Sequence, residues 1–277
     1  MIDINVFRNG ADSVKDVLRR NHVQVIGQGE KTIVLAHGFG SNQKMWQYIT
    51  PALEHAYRIV LFDYVGSGNA DIDAYDSDRY GTLHGYAQDL LDVIDALELT
   101  QFDFVGHSIS GMIGLLAALE KPECFHKIVM IGASSRYLND DGYVGGFEES
   151  DIAELLEMME MNFTGWASYM APLVMDASQG AEPVQALEHS FASTNPRIAR
   201  EFAEVTFFSD NRSHLPHMNV PTLLIQCAED SIVPLQAAQY LQAHLPNAEM
   251  EMMHAKGHYP HISKPAETLK LIQAFLA

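Results

Sequence analysis

Near the middle of the chain stands Gly106-His107-Ser108-Ile109-Ser110-Gly111. A serine flanked two places away by small residues can sit in a sharp strand-to-helix turn, with its hydroxyl clear of the backbone and free to attack an acyl carbon. Gly106 meets that need on one side. Ser110 stands where a second glycine is usual, and it too is small. Two other serines compete. Ser110 has the bulky Met112 two places on, and Ser134, in Gly132-Ala133-Ser134-Ser135-Arg136, follows a strand but opens a loop. The plainer alternative is a turn in which Ser108 only caps a helix.

A serine hydroxyl is a weak nucleophile until a base takes its proton and a carboxylate orients that base. Candidates for both follow in the order serine, acid, histidine. Asp230 comes 122 residues after Ser108, past the strand-like Thr222–Cys227, and His258 a further 28 residues on, in Lys256-Gly257-His258-Tyr259-Pro260. The first interval is long enough to hold an insertion; the second fits one helix and one strand. Glu229 competes as the acid, and Asp230 has the alternative of capping a helix near Pro234. His254, His258 and His261 have the spacing of metal ligands on a helix. Gly257 and Pro260 disrupt a helix there and no carboxylate cluster joins them, so neither a metal nor another cofactor is expected.

A fourth piece is His37-Gly38-Phe39-Gly40, after the strand Thr32–Ala36. Small residues here expose backbone N–H groups, and those of Phe39 and Ile109 are the expected donors to an oxyanion; an ordinary strand-to-helix turn is the alternative. Asp63-Tyr64-Val65-Gly66-Ser67-Gly68 lacks the helix-opening pattern of a phosphate loop and reads as a structural turn.

These residues need elements to position them. Thr32–Ala36, Arg58–Phe62, Phe102–Val105, Lys127–Ile131, Thr222–Cys227 and Ala248–Met253 read as fully buried strands, which implies a mostly parallel sheet covered on both faces. Helices are expected over Leu83–Leu97, Ile109–Leu119, Leu235–Leu245 and Pro265–Leu276, the second apolar all round. From 135 to 210 the pattern is helical without a strand, and Pro172, Pro183 and Pro196 are expected to chop it into short helices. The reading is an α/β core, 1–134 and 211–277, with an all-helical cap, 135–210, over the strand ends where such sheets bind ligands. Met158, Met159 and Met161 read as core packing of that cap, with an adaptable binding surface as the alternative.

Composition narrows the function. Of 277 residues, 17 are Lys or Arg and 36 are Asp or Glu, a formal charge of −19 that argues against nucleic-acid and anionic-membrane partners. No run is long and apolar enough to span a membrane, and MIDINVFRNGADSVKD has no apolar leader core, so a cytoplasmic protein is expected. The two cysteines, Cys124 and Cys227, read as buried free thiols.

Together the serine turn, ordered acid and base, and oxyanion loop resemble the α/β-hydrolase superfamily. Asp63–Gly68, Gly85-Tyr86-Ala87-Gln88-Asp89, Gly106-His107-Ser108, Tyr137-Leu138-Asn139-Asp140, Gly145-Gly146-Phe147-Glu148 and Phe208-Ser209-Asp210 carry the resemblance further. They are similar to the RsbQ-like stress-signalling hydrolases and the plant karrikin and strigolactone receptors. The resemblance runs from about Arg20 to the C-terminus. It implies a four-helix cap in a V over an apolar pocket, a Ser108–His258–Asp230 triad, and a pocket lined by Phe39, Tyr137, Phe147, Trp166, Phe207 and Ile232. It implies hydrolysis of a small apolar ester or lactone of butenolide type, with a PAS-type phosphatase as protein partner in the bacterial branch; the alternative is a ligand-binding sensor with slow or vestigial hydrolysis that reports to a protein partner through its cap. Serine at the Ser110 position has precedent among the plant members. A haloalkane dehalogenase of the usual kind is excluded, because its nucleophile would be an aspartate where Ser108 stands.

Overall fold

The computed structural model of the protein describes residues 13–176, 178 and 180–277. Most of the stretch on which the absence of a leader was read therefore lies outside the described residues. Seven strands form one sheet: β1 Gln24–Ile26, β2 Lys31–Ala36, β3 Tyr57–Leu61, β4 Phe102–His107, β5 Phe125–Ile131, β6 Thr222–Glu229 and β7 Ala248–Lys256, in the order β1-β3-β2-β4-β5-β6-β7. Among the described strands only the β1–β3 pair is antiparallel. β4 is buried along its whole length, as a central parallel strand covered on both faces must be. β7 departs from the fully buried strand expected of it. It is the sheet edge, and its Glu249 and Glu251 are exposed, a charge pattern that discourages further strand pairing. The strand order reverses between β2 and β4, and the crevice at their carboxyl ends is where α/β sheets place ligands.

The α-helices in chain order are α1 Val14–Arg20, α2 Thr50–Leu53, α3 Leu83–Ala96, α4 Ile109–Glu120, α5 Glu149–Met161, α6 Phe163–Val174, α7 Ala181–Ser193, α8 Pro196–Phe208, α9 Leu235–His244, α10 Pro260–Ser263 and α11 Pro265–Leu276. α4 is buried on every side from Ile109 to Ala118, so its apolar circumference matches its place against β4 and β5. Each buried Ile or Leu there contributes about 1.5–3 kcal/mol of transfer free energy. No helix among the described residues is long and apolar enough to cross a membrane.

Helices α5 to α8 lie between β5 and β6. Pro196 opens α8 at its first residue, where the missing N–H has no helical partner to lose. Pro183 sits in the first turn of α7 on the same terms. Pro172 does not break the chain as expected but lies inside α6, in its last turn, and α6 packs on α7. The three methionines of α5 are not all core. Ile152, Leu156 and Met159 form its buried stripe, while Met158 and Met161 fall off that face and are exposed, Met161 by 78%. Cys124 and Cys227 are buried free thiols.

Two scattered sequence motifs prove to be framework. The Asp63 carboxylate accepts the N–H groups of Gln43 and Asn69 at 2.8 and 2.9 Å, closing the turn after β3. Asp89 on α3 is wholly buried and accepts from Asn21, the Val65 N–H, Arg79 and the Tyr80 hydroxyl at 2.8–3.1 Å, tying the end of α1 and the Asp63 turn to α3. Breaking such a network leaves a buried carboxylate without its full set of partners.

Candidate active site

Ser108 joins β4 to α4 with φ 55° and ψ −125°, a strained conformation for a residue with a side chain. Its N–H donates to Ile131 O at 2.8 Å, which fastens the turn to β5. The glycines around it are there for space. A β-carbon on Gly106 would come within 2.7 Å of the Ser110 backbone, and one on Gly111 within 2.7 Å of Ala133 Cβ, so Gly111 lets α4 approach β5. Ser110 faces the other way. Its hydroxyl donates to His37 O and accepts from the Tyr64 hydroxyl at 2.9 Å, beneath the turn and off the cavity. Ser134 Oγ is likewise engaged, donating to Arg136 O at 2.7 Å. Ser110→Gly is therefore expected to change any turnover that depends on Ser108 by no more than about threefold, because a backbone hydrogen bond is lost but no reacting group. Steady-state kinetics on a p-nitrophenyl ester checks it, and a hundredfold loss would contradict this placement.

His258 follows β7 in a loop pinned by its own N–H, which donates to Val174 O at 2.7 Å, and by the Gly257 N–H, which donates to Glu229 O at 2.8 Å. Its ring bridges the other two residues. Nε2 lies 2.7 Å from Ser108 Oγ, and Nδ1 lies 2.9 Å from Asp230 Oδ2 and 3.1 Å from Oδ1. With a carboxylate on Nδ1, that nitrogen carries the proton and donates, leaving Nε2 to accept from the serine. Asp230 does not depend on histidine for its position. Its Oδ1 accepts the N–H groups of Ile232 and Val233 at 2.8 and 3.1 Å, and Gln226 Nε2 donates to Val233 O at 3.0 Å, bracing the loop. Glu229, the rival acid, is exposed and paired with Lys256 at 2.8 Å.

The other histidines of the region are dispersed. His254 is exposed on β7. His107 and His261 are buried behind His258, with His107 Nε2 donating to the His258 carbonyl at 2.8 Å and His261 packed on Trp46 at 4.8 Å between ring centroids. Burial, helped by the neighbouring histidines, pushes both imidazoles down, His107 well below its ordinary value and His261 to about 3. Both rings are thus neutral in the fold, whereas in the unfolded chain they take up protons near pH 6.5. The unfolded state then binds more protons below that pH. The contribution of these rings is fully present above about pH 6.5 and is lost as pH falls, by up to about 1.4 kcal/mol per unit for each ring. Urea midpoints are expected to drop between pH 7.5 and pH 5, and His261→Phe, which keeps the stacking on Trp46, is expected to drop less. An equal drop in both proteins would contradict the assignment.

Ser108 and His258 open on a cavity of about 40 Å³. Phe39, Tyr137, Trp166, Phe207 and Ile232 stand on its wall. Phe147 does not; it packs edge-on to Phe207 at 5.6 Å, one layer behind. Six further wall residues escaped the sequence reading: Leu155, Met170, Val174, Phe191, Thr206 and Tyr259. The first five lie on α5 to α8, whose inward faces are set only once the short helices pack; Tyr259 could have been found as the immediate neighbour of His258. The Tyr137 hydroxyl is 3.5 Å from Ser108 Oγ, and burial raises its pKa far above the ordinary range, so it stays protonated.

The loop after β2 is set by His37. Its Nε2 accepts the Tyr64 N–H at 3.2 Å, so Nδ1 carries the proton and donates to Gly38 O at 2.9 Å. Next along, Phe39 reaches the cavity. Among the described residues neither the Phe39 N–H nor the Ile109 N–H donates to a protein group, and Ile109 is the first residue of α4, where helical N–H groups are unpaired and the dipole favours negative charge.

A sheet of this order, with a serine in a strained strand-to-helix turn and a histidine–aspartate pair on the following strand ends, defines an α/β hydrolase. Residues 33–271 match the alpha/beta hydrolase family, and the chain belongs to it. The karrikin insensitive 2 receptor CA of Petunia hybrida is 39% identical over 246 residues, 88% of this chain and 91% of that protein. The strigolactone esterase D14 of Arabidopsis thaliana is 38% identical over 265 residues, 95% of this chain and 99% of that one. The solved structure of a hydrolase from Oleispira antarctica, 40% identical, aligns with a TM-score of 0.92 over 95% of this chain and 97% of that one.

Proposed function

We propose that the protein is a serine hydrolase acting on a small apolar ester or lactone of butenolide type, with Ser108, His258 and Asp230 as its catalytic triad. The observation that carries this reading is the unbroken hydrogen-bond chain from Asp230 through His258 to Ser108, ending at an otherwise apolar cavity. Ser108 Oγ attacks the acyl carbon while His258 Nε2 takes its proton, and Asp230 steadies the imidazolium that forms. The oxyanion is received by the N–H groups of Phe39 and Ile109. His258 then returns the proton to the leaving alcohol oxygen, and a water activated by the same nitrogen cleaves the acyl-enzyme. Residues 135–210 act as the cap that shapes the cavity. The net charge of −19 favours neutral substrates over anionic ones. No step requires a cofactor.

A signalling role alongside hydrolysis is supported by the receptor among the similar proteins and by the apolar groups that α5 and α6 turn outward, Met161, Tyr169 and Leu173, exposed by 78, 55 and 49%. In this part of the reading the protein works in the cytoplasm, and its cap reports ligand occupancy to a protein partner, a PAS-type phosphatase in the RsbQ-like branch. Turnover of p-nitrophenyl acetate and of a butenolide ester, with mass-spectrometric mapping of phenylmethylsulfonyl fluoride labelling, tests the hydrolase reading. Hydrolysis together with a single adduct on Ser108 is expected. Absence of both turnover and adduct overturns it.

A further inference from the structure

Thr206 is 2% exposed and stands on the cavity wall, near the end of α8. A helical threonine commonly turns its hydroxyl back onto the carbonyl four residues earlier. Here Oγ1 makes no such bond: among the described residues it has no hydrogen-bond partner, although it is shut off from solvent. Its setting is aromatic and aliphatic, with Trp166, Phe191 and Phe207 on the same wall. The Trp166 Nε1 is a second buried polar atom without a partner. A hydroxyl left unpaired in an apolar wall is costly, and valine would fill the same space without that cost. None of the triad atoms lies within hydrogen-bonding distance of Oγ1, so its partner is a group other than the reacting machinery.

We infer that Thr206 is a specificity-determining residue whose hydroxyl pairs with a second oxygen of the substrate, remote from the scissile carbonyl. This inference rests on the cavity being the substrate site of the proposed hydrolase. The favoured substrates are then esters or lactones that carry a further carbonyl, ether or hydroxyl oxygen. A site built to hydrogen-bond one substrate group discriminates against analogues that lack it, because its own polar group is then left unpaired.

The test compares p-nitrophenyl valerate with a series in which one methylene of the acyl chain is replaced in turn by an ether oxygen or a carbonyl. Wild-type protein is expected to prefer at least one oxygenated member in kcat/KM by about tenfold or more. Thr206→Val is expected to lose that preference, read as the ratio of kcat/KM between oxygenated and valerate esters, and Thr206→Ser to retain it. The inference is overturned if the wild type has no preference, if Thr206→Val keeps it, or if Thr206→Ser loses it together with Thr206→Val. In those outcomes valerate is still cleaved and the hydrolase reading stands. If wild-type protein cleaves no member of the series and takes no sulfonyl label, the hydrolase reading fails and this inference fails with it.

Discussion

Ser108→Ala is expected to lower kcat on p-nitrophenyl acetate by about 10,000-fold or more and to abolish sulfonyl labelling, while leaving the urea midpoint close to that of the wild type. The rate effect follows from removing the atom that forms the acyl-enzyme; what remains is the catalysis supplied by binding and oxyanion donors alone. The stability effect is small for two reasons. The Ser108 hydroxyl makes its short contact only with His258, whose ring keeps its partner in Asp230, and whose backbone is held by Val174 and His107. Alanine also keeps the same β-carbon at the strained φ of 55°. Activity that survives this substitution would refute Ser108 as nucleophile. Ser110 would not be the substitute, since its hydroxyl is committed to His37 O and the Tyr64 hydroxyl.

The second large effect is expected of Asp230→Asn, a loss of about 10,000-fold in kcat near neutral pH. The asparagine carbonyl can still accept from the Ile232 and Val233 N–H groups, so the loop keeps its shape. The amide nitrogen then faces His258 Nδ1 and donates to it. The ring proton moves to Nε2, which confronts the serine with a donor where it needs an acceptor. Circular dichroism and unfolding midpoints should show a folded protein, and pre-steady-state kinetics a loss in acylation. A loss of tenfold or less would show that Asp230 only holds the loop and that another group orients His258.

Much of the framework was readable because it depends on local pattern. The bounds of α11 coincide with the Pro265–Leu276 periodicity, since a proline opens it. β1 was not readable: three residues, Gln24–Ile26, hold no alternation to detect, and they pair only as an antiparallel edge on β3. β7 reads as one of the buried strands in the sequence, but its alternating glutamates mark an edge, which only the strand order reveals. Pro172 misled for a related reason. A proline disfavours a helix interior, yet Pro172 lies in the last turn of α6, where only one ladder bond is lost and the helix packs on α7.

The site divides along the same line. The order of Ser108, Asp230 and His258, each just past an apolar run, was legible; their approach to within 2.7 and 2.9 Å is a product of the sheet. The cavity wall was legible only in part. Phe147 belongs to its surroundings but stands behind Phe207, and Thr206 left no trace, because one threonine among cap residues carries no pattern.

The cavity of about 40 Å³ has a consequence for time rather than space. Under the proposed mechanism, a ligand of more than a few heavy atoms crowds the wall that α5 to α8 largely supply. The acyl-enzyme then leaves little room beside Ser108 for the water that cleaves it. Deacylation is then the slow half of the cycle, and the protein stays marked after the leaving group has gone. Chemistry of that kind keeps a record of an encounter, and the length of the record is set by how fast water reaches the acyl carbon.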